Sequence, residues 1–468
     1  MKVAFIHYHL KTGGVTSVIK QQVTALHDVC QTMILTGDRG QGSWPCPVVQ
    51  IPELGYDRLG ASAPPEQIAA KIQQTLIDAW PGGCDILHIH NPILAKNKHL
   101  LQVIKQLQPA GVNLFLQIHD FAEEGRPGAY FSEAYPQDCH YGVINTRDGR
   151  LLIMAGLEPS GVHWLPNAVE PLSVQAGRQP EPMVLYPVRA IRRKNIGEAI
   201  LLSLFFEDGR RLAITQPPNS PADMASYQGW RQYVSQNKLK VEFDQGRQFD
   251  FSVLISSAQS MLTTSITEGF GFSFLEPWTA GKLLWGRRLP GPCADFEANG
   301  VLLPTLYDRI DLPLDWLDAK RFHERWRDAV ISAAHAYGYT IASDTVEQGF
   351  ADITQGGVVD FGLLNEYFQR RVISRILEIP AARAQLQTLN PCLIKPGLFA
   401  EADALIPNNR RAVARHFNLQ SCRQRLWAIY GKVIRHPVRH QVNKKALWEA
   451  FFDLNRFSLL QWEAYDER

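Results

Sequence analysis

A chain of 468 residues with 45% hydrophobic content holds enough apolar material for two or more domains, and a formal net charge of +2 singles out no class of partner. Seven cysteines, an odd number without a spaced framework, read as reduced thiols and exclude a disulfide scaffold. No uninterrupted apolar stretch of ~18 residues marks a membrane span, and Met1 runs into a strand with no small-residue cleavage site, so a soluble, cytoplasmic protein with no nucleic-acid partner is expected.

In chain order, strand-like runs fall at Lys2 to Tyr8, Thr32 to Thr36, Asp85 to His90, Asn113 to His119, His140 to Asn145 and Val162 to Leu165, with helical patterns between them. That alternation predicts a doubly wound parallel sheet over residues 1–170. The first strand passes through Gly13 and Gly14 into a helix with apolar Val15, Val18, Ile19, Val23 and Leu26. A strand, a glycine turn and a helix N-terminus suit a diphosphate, while the lack of a Gly-x-Gly-x-x-Gly pattern disfavours a nicotinamide or flavin cofactor. His88-Ile-His90-Asn91 ends one strand, and Gln117-Ile-His119-Asp120 leads into Glu123, Glu124 and Arg126 at the end of the next. His-x-His without a third ligand at recognisable spacing does not predict a metal site.

Residues 171–182 read as a linker, and a second strand series begins at Met183 and continues at Arg211, Val241, Met261 and Leu283, giving a second Rossmann-like domain over 183–437. Its first strand ends in the basic turn Arg189-Ala-Ile-Arg-Arg-Lys194-Asn195, suited to phosphate oxygens. The fourth leads into Thr267-Glu268-Gly269-Phe270-Gly271-Phe272-Ser-Phe-Leu-Glu276-Pro, two carboxylates with seven residues between them, including two glycines that permit close backbone approach. Ser273 and Glu276 also spell a helix capping box, in which Glu276 binds nothing but its own backbone. Both readings of Glu276 stand at this point, as do a core and a ligand role for His119.

Residues 300–386 read as a helical elaboration without an assigned function. From Arg410 to Lys445 there are ten Lys or Arg and no acid. Beyond them Leu447, Trp448, Phe451, Phe452, Leu454, Leu459 and Trp462 fall on one broad helical face, expected over 438–468 either to pack on the first domain or to dock on anionic lipid.

Taken in this order, Gly13-Gly14, then Arg189 and Lys194, then Glu268 and Glu276, the chain resembles retaining GT-B glycosyltransferases of the large family that includes sucrose synthase and the phosphatidylinositol mannosyltransferases. The resemblance spans most of residues 1 to about 290 plus the tail. It implies two Rossmann-like domains facing a central cleft, and transfer of a hexose from a nucleotide sugar, UDP-glucose first and GDP-mannose second, with retention and no metal or other cofactor. Glu268, Arg189, Lys194 and His119 would carry catalysis; Gly13, Gly14, Gly269, Phe270, Gly271, Phe272 and Glu276 would hold the donor. The polar loop beside the sugar position assigns Asn91, Asp120, Glu123 and Arg126 to a small polar, anionic acceptor. A lipid-linked acceptor and a non-catalytic sugar-binding protein are the alternatives. Val188, Asn195 and Gly286-Arg-Arg-Leu-Pro depart from the family pattern, at positions tied to base and sugar contacts.

Overall fold

The computed structural model describes residues 1–57, 62–175, 177, 181–206, 209–394 and 402–466, so part of the expected linker, 176 and 178–180, lies outside the described residues. The chain forms two compact units, Met1–Val169 with Arg415–Phe452, and Glu170–Ala414 with Asp453–Arg468.

The first unit is built on seven strands: β1 Lys2–His9, β2 Gln31–Asp38, β3 Val48–Gln50, β4 Ile86–His90, β5 Leu114–Ile118, β6 His140–Val143 and β7 Val162–Trp164. They lie in the order β3-β2-β1-β4-β5-β6-β7, every neighbouring pair parallel. Alternate side chains serve two cores, because successive Cβ atoms leave a strand on opposite faces. Ala4, Ile6, Leu87, Ile89, Leu114, Leu116 and Ile118 join one cluster, and Val3, Phe5, Ile86 and Phe115 join the other. The second face changes character along the strands. Phe5 is followed on that face by His7 and His9, Ile86 by His88 and His90, and Phe115 by Gln117 and then His119, so an apolar start gives way to imidazoles and amides at the carboxyl ends.

The chain returns to this unit earlier than the expected position 438 and leaves it again. Helix Leu419–Arg435 contributes Cys422, Leu426, Ile429, Tyr430 and Val433 to the second cluster, and helix Lys444–Phe451 contributes Leu447 and Phe451 to the first. The single tail helix expected over 438–468 is instead divided after Phe451. Phe457 stacks on Trp462 with ring centroids 5.4 Å apart and meets the Trp326 ring within the second unit. Leu447, Trp448, Phe451, Phe452 and Leu459 are all buried. These members of the stripe pack within protein, while Leu454 and Trp462 are only partly buried and Trp427 and Ile434 of the basic stretch are exposed.

The second unit has six parallel strands, β8 Met183–Arg189, β9 Arg211–Gln216, β10 Val241–Glu242, β11 Ser260–Thr263, β12 Leu283–Arg287 and β13 Leu306–Tyr307, in the order β10-β9-β8-β11-β12-β13. An antiparallel ribbon, β14 Asp311–Pro313 and β15 Val358–Asp360, opens and closes much of the 300–386 elaboration. The sequence pattern around Val358 reads as the approach to a helix, and three residues are too short for periodicity to separate strand from loop.

Arg287 ties that elaboration to the sheet. Its guanidinium is buried and forked, 2.7–2.8 Å from both oxygens of Glu198 and from both oxygens of Asp360, and Tyr307 donates to Glu198 at 2.7 Å. A Cβ on Gly362 would stand 2.7 Å from the guanidinium carbon, so the chain following β15 passes too close for any larger residue. One cation facing two buried carboxylates satisfies its desolvation only while all partners remain. Arg287→Ala is therefore expected to destabilise the second unit by about 3–5 kcal/mol in denaturant titrations of the full chain. A loss of less than about 1 kcal/mol would mark the group as an ordinary solvated ion pair.

Candidate active site

Two polar segments of the second unit meet at the carboxyl ends of β8 and β11. The basic turn after β8 is held from beneath. Tyr186 Oη donates to the Lys194 carbonyl at 2.6 Å, and Thr264 Oγ1 donates to the carbonyls of Lys194 and Asn195, each at 3.0 Å. The Ile266 amide donates to the Arg193 carbonyl at 3.0 Å, and Arg193 returns a bond to the Thr267 carbonyl at 3.2 Å. The turn and the following glutamate loop are thus laced together before any side-chain charge is considered.

The two loops bring Lys194 Nζ into contact with Glu268 Oε1, with Arg193 3.5 Å from Oε2. Burial alone would raise the Glu268 carboxyl, but the Lys194 and Arg193 charges, with hydrogen bonds from Lys194 and Ser265, outweigh it and hold it below the usual carboxylate range. Arg189, assigned with Lys194 to the same task, lies apart at the strand end, exposed, donating to the Pro217 carbonyl at 3.3 Å. Arg193 takes the position beside Glu268 that sequence reasoning left to the two matched cations. The signal available for it was its place inside the basic run, which does not say which of three cations turns inward.

Glu276 forms no capping box. Ser273 sits within the turn Phe272–Phe274 with its hydroxyl 3.5 Å from Thr263, and the short helix Glu276–Thr279 is capped at Leu275 without a side-chain bond. Burial pushes the Glu276 carboxyl up to about 7, with the Lys194 charge opposing. Phe270 is buried edge-on against Phe272 and Phe296, so its side chain anchors the loop and leaves its backbone, with those of Gly269 and Phe272, at the site. Gly271 has φ 86°, and a Cβ there would stand 2.7 Å from the Phe274 ring.

On the first unit, helix Gly14–Leu26 starts from Gly13 with no side-chain cap. A Cβ on Gly14 would meet nothing within 4 Å, and one on Gly13 only a carbonyl at 3.8 Å, so internal packing demands neither glycine. At the ends of β4 and β5, Asn91 Oδ1 accepts from the amides of His119 and Asp120 at 2.7 and 3.2 Å. Asn91 is thus a splint between two strand ends, buried, with its acceptor committed to backbone. His119 Nε2 lies 2.8 Å from His90 Nδ1. Asp120 pairs with Arg126 at 2.8 Å. Glu123 departs from its acceptor assignment: it is wholly buried, receives the Tyr135 hydroxyl at 2.8 Å, and burial raises its carboxyl. Loop residues alternate between outward and inward without a period to read, and the adjacent Glu124 is the one that meets Arg147, at 3.1 Å. Arg147 and buried Asp148, raised to about 7 by its burial and by the Glu124 charge, are polar groups at this edge that motif reading passed over. His88 is engaged by Tyr430 and Gln117, and among the described residues no group of three His, Cys, Asp or Glu is placed to hold a metal ion.

No protein-family model matches the sequence. Mannosylglucosyl-3-phosphoglycerate synthase of Petrotoga mobilis is 25% identical over 366 residues, 69% of this chain and 72% of that protein. Among solved structures, sucrose-phosphate synthase from Thermosynechococcus elongatus is similar with a TM-score of 0.53 at 15% identity, covering 92% of this chain and 98% of its own. HepE from Anabaena, solved with UDP-glucose, has a TM-score of 0.52 at 13% identity over 92% and 98%. The fold is that of the GT-B glycosyltransferases.

Against the GT-B pattern, two of the three sequence departures have local explanations. Asn195 stands where the family has glycine and keeps the left-handed backbone, φ 52°, that Asn tolerates best after Gly. Its side chain bonds Glu198 at 2.7 Å and Gln369 at 2.9 Å, anchoring the turn to the elaboration. Gly286 lies inside β12 with φ 138°, where a Cβ would fall 1.8 Å from the Thr263 carbonyl oxygen of β11. Nothing in the structure explains Val188.

The Glu276 geometry gives a pH test. Its folded value of about 7 lies above the ordinary carboxyl value of 4.5, so the folded chain retains a proton that the unfolded chain releases, and wild-type stability falls as pH rises between those values. Glu276→Gln removes the effect. Its melting temperature should exceed that of wild type by a margin that grows from pH 5 to pH 7 and then levels. A pH-independent drop in melting temperature would restore the capping reading.

Proposed function

We propose that this GT-B protein is a retaining glycosyltransferase that transfers a hexose from a nucleotide sugar to a hydroxyl of a small, polar, anionic acceptor. The observation that carries the reading is the ionised Glu268 held against Lys194 and Arg193 at the carboxyl edge of the second sheet, the edge at which ligands bind in open α/β folds. A carboxylate fixed by two cations accepts hydrogen bonds from donor-sugar hydroxyls, while the cations face the diphosphate that departs. Arg189, exposed at the same edge, adds a guanidinium for phosphate oxygens, and the backbone around Gly271 and Phe272 adds dipoles.

Glu276, without a hydrogen-bond partner for its carboxyl among the described residues, is assigned to the ribose hydroxyls. Gly13 and Gly14 leave open space above the N-terminus of a 13-residue helix, which suits close approach of an anionic group. His119 is assigned to the transferred sugar. Charge on the leaving diphosphate is borne by side chains and amides in this scheme, so it needs no metal. With no enzyme nucleophile, the departing phosphate oxygen takes the proton of the attacking acceptor hydroxyl on the same face, and the anomeric configuration is kept.

UDP-glucose is the first donor and GDP-mannose the second. HepE was solved with UDP-glucose, and the Petrotoga relative is named for a mannosylglucosyl product. That name also contains 3-phosphoglycerate, an anion, in keeping with an acceptor met by Arg126, Arg147 and the acids around them. The protein is expected to work in the cytoplasm.

Glu268→Gln and Lys194→Ala are each expected to lower turnover by at least about two orders of magnitude with the fold intact, consistent with losing a charge contact of the transition state. Initial rates with UDP-glucose and GDP-mannose, with 3-phosphoglycerate and its glucosylated form as acceptors, measure this, and the anomeric proton coupling of the product reads retention. Near-normal turnover of either variant with an accepted donor removes the assigned role.

A further inference from the structure

The polar end of the first sheet contains a buried imidazole pair whose proton arrangement the packing decides. His90 Nδ1 and His119 Nε2 are 2.8 Å apart with the rings stacked at 5.1 Å and 13°. Two imidazoles in such contact share one hydrogen, so one nitrogen donates and the other accepts. Burial lowers both groups well below the ordinary histidine value, His119 to about 4, so both rings are neutral near pH 7 and each carries a single N–H.

Only two arrangements then exist. In the first, His90 carries its proton on Nδ1 and donates, leaving its Nε2 as a bare lone pair, and His119 carries its own proton on Nδ1. In the second, His90 Nδ1 accepts, so its proton sits on Nε2. That Nε2 is sealed from solvent and has no partner. His88 lies flat against one side of the ring at 4.4 Å, and Phe5 is stacked at 6.0 Å. A buried N–H without an acceptor is rarer and more costly than an unused lone pair, which favours the first arrangement. A second pair on the same sheet shows the rule with an acceptor present: His140 Nε2 meets the His436 carbonyl at 2.8 Å and must donate there, so its Nδ1, 2.9 Å from His163 Nε2, accepts.

We propose that His90 is a positioning residue that locks His119 in its Nδ1–H form, so that His119 offers the transferred sugar a hydrogen-bond donor. His119 Nδ1 has no partner in the chain among the described residues and, unlike His90 Nε2, is not sealed. The contact with sugar rests on the role given to His119 above; the tautomer itself does not.

Long-range proton–nitrogen NMR correlation on the full chain with labelled histidine, at pH 7, separates the two. Protonated-type Nδ1 on both His90 and His119 is the expected result, and protonated-type Nε2 on His119 overturns the proposal. His90→Phe keeps a ring and removes both nitrogens. It should leave His119 as a mixture of tautomers and lower kcat about tenfold while donor KM changes less than about twofold. His90→Asn, whose side-chain amide reaches the place of Nδ1–H, should restore most of the rate. Wild-type kcat in His90→Phe, in a protein that His119→Ala inactivates, overturns the positioning role and leaves His119 on the sugar. Full activity of His119→Ala with the expected tautomer spectrum instead removes the sugar contact and leaves the lock in place.

Discussion

Parallel strands all end on the same edge, and the site depends on that constraint. Each unit's sheet runs its strands in one direction, so the residues following β4 and β5 are gathered at the rim of the first sheet, and those following β8 and β11 at the rim of the second, without any long excursion of chain. At each rim the backbone stops pairing with neighbouring strands, and its free groups are taken up by side chains. Asn91 spans two strand ends through one oxygen, and Tyr186 with Thr264 does the same for the basic turn. Functional side chains are therefore placed by residues whose own hydrogen bonds are spent on backbone.

Charge is distributed on the same logic. Buried cations and carboxylates occur in matched sets, Lys194 and Arg193 with Glu268, and Arg287 with Glu198 and Asp360. The second set is sealed and structural. The first lies at the sheet rim, where a ligand's hydroxyls and phosphates can exchange places with protein partners. Between them runs a chain of polar contacts: Glu198 bonds Asn195, Asn195 bonds Gln369, and Glu366 on the same helix holds Arg192 and Ser226. The 300–386 elaboration thus braces the basic turn from behind. A rigid turn keeps its cations at fixed positions, which is what the proposed stabilisation of a departing diphosphate requires.

The two histidine pairs of the first sheet show how an ordinary strand pattern yields chemical asymmetry. Imidazoles at alternate positions sit on one face, and neighbours on or just past the adjacent strand meet them ring to ring, His119 on His90 and His163 on His140. Where a carbonyl is within reach, it sets the tautomer; where none is, the absence of an acceptor sets it.

The sequence by itself determined the two parallel-sheet units, the positions of six of the first unit's seven strands to within a few residues, all but the short β3, and the order of glycine, basic and acidic motifs, because period-2 alternation and glycine turns are local properties. It also placed Glu268 and Lys194 at strand ends, where the structure brings them together. Only the tertiary structure decided which cation of the basic run meets Glu268, that Glu276 leaves the capping box unformed, that Glu123 turns into the core while Glu124 turns out, and that the tail divides between the units at Phe452. Contacts between distant parts of the chain fix what local pattern cannot: His88 with Tyr430 is 342 residues apart, Asn195 with Gln369 is 174, and Lys194 with Glu268 is 74. Helical spacing shows that a segment has an apolar face; which core that face enters depends on the space another part of the chain has left open.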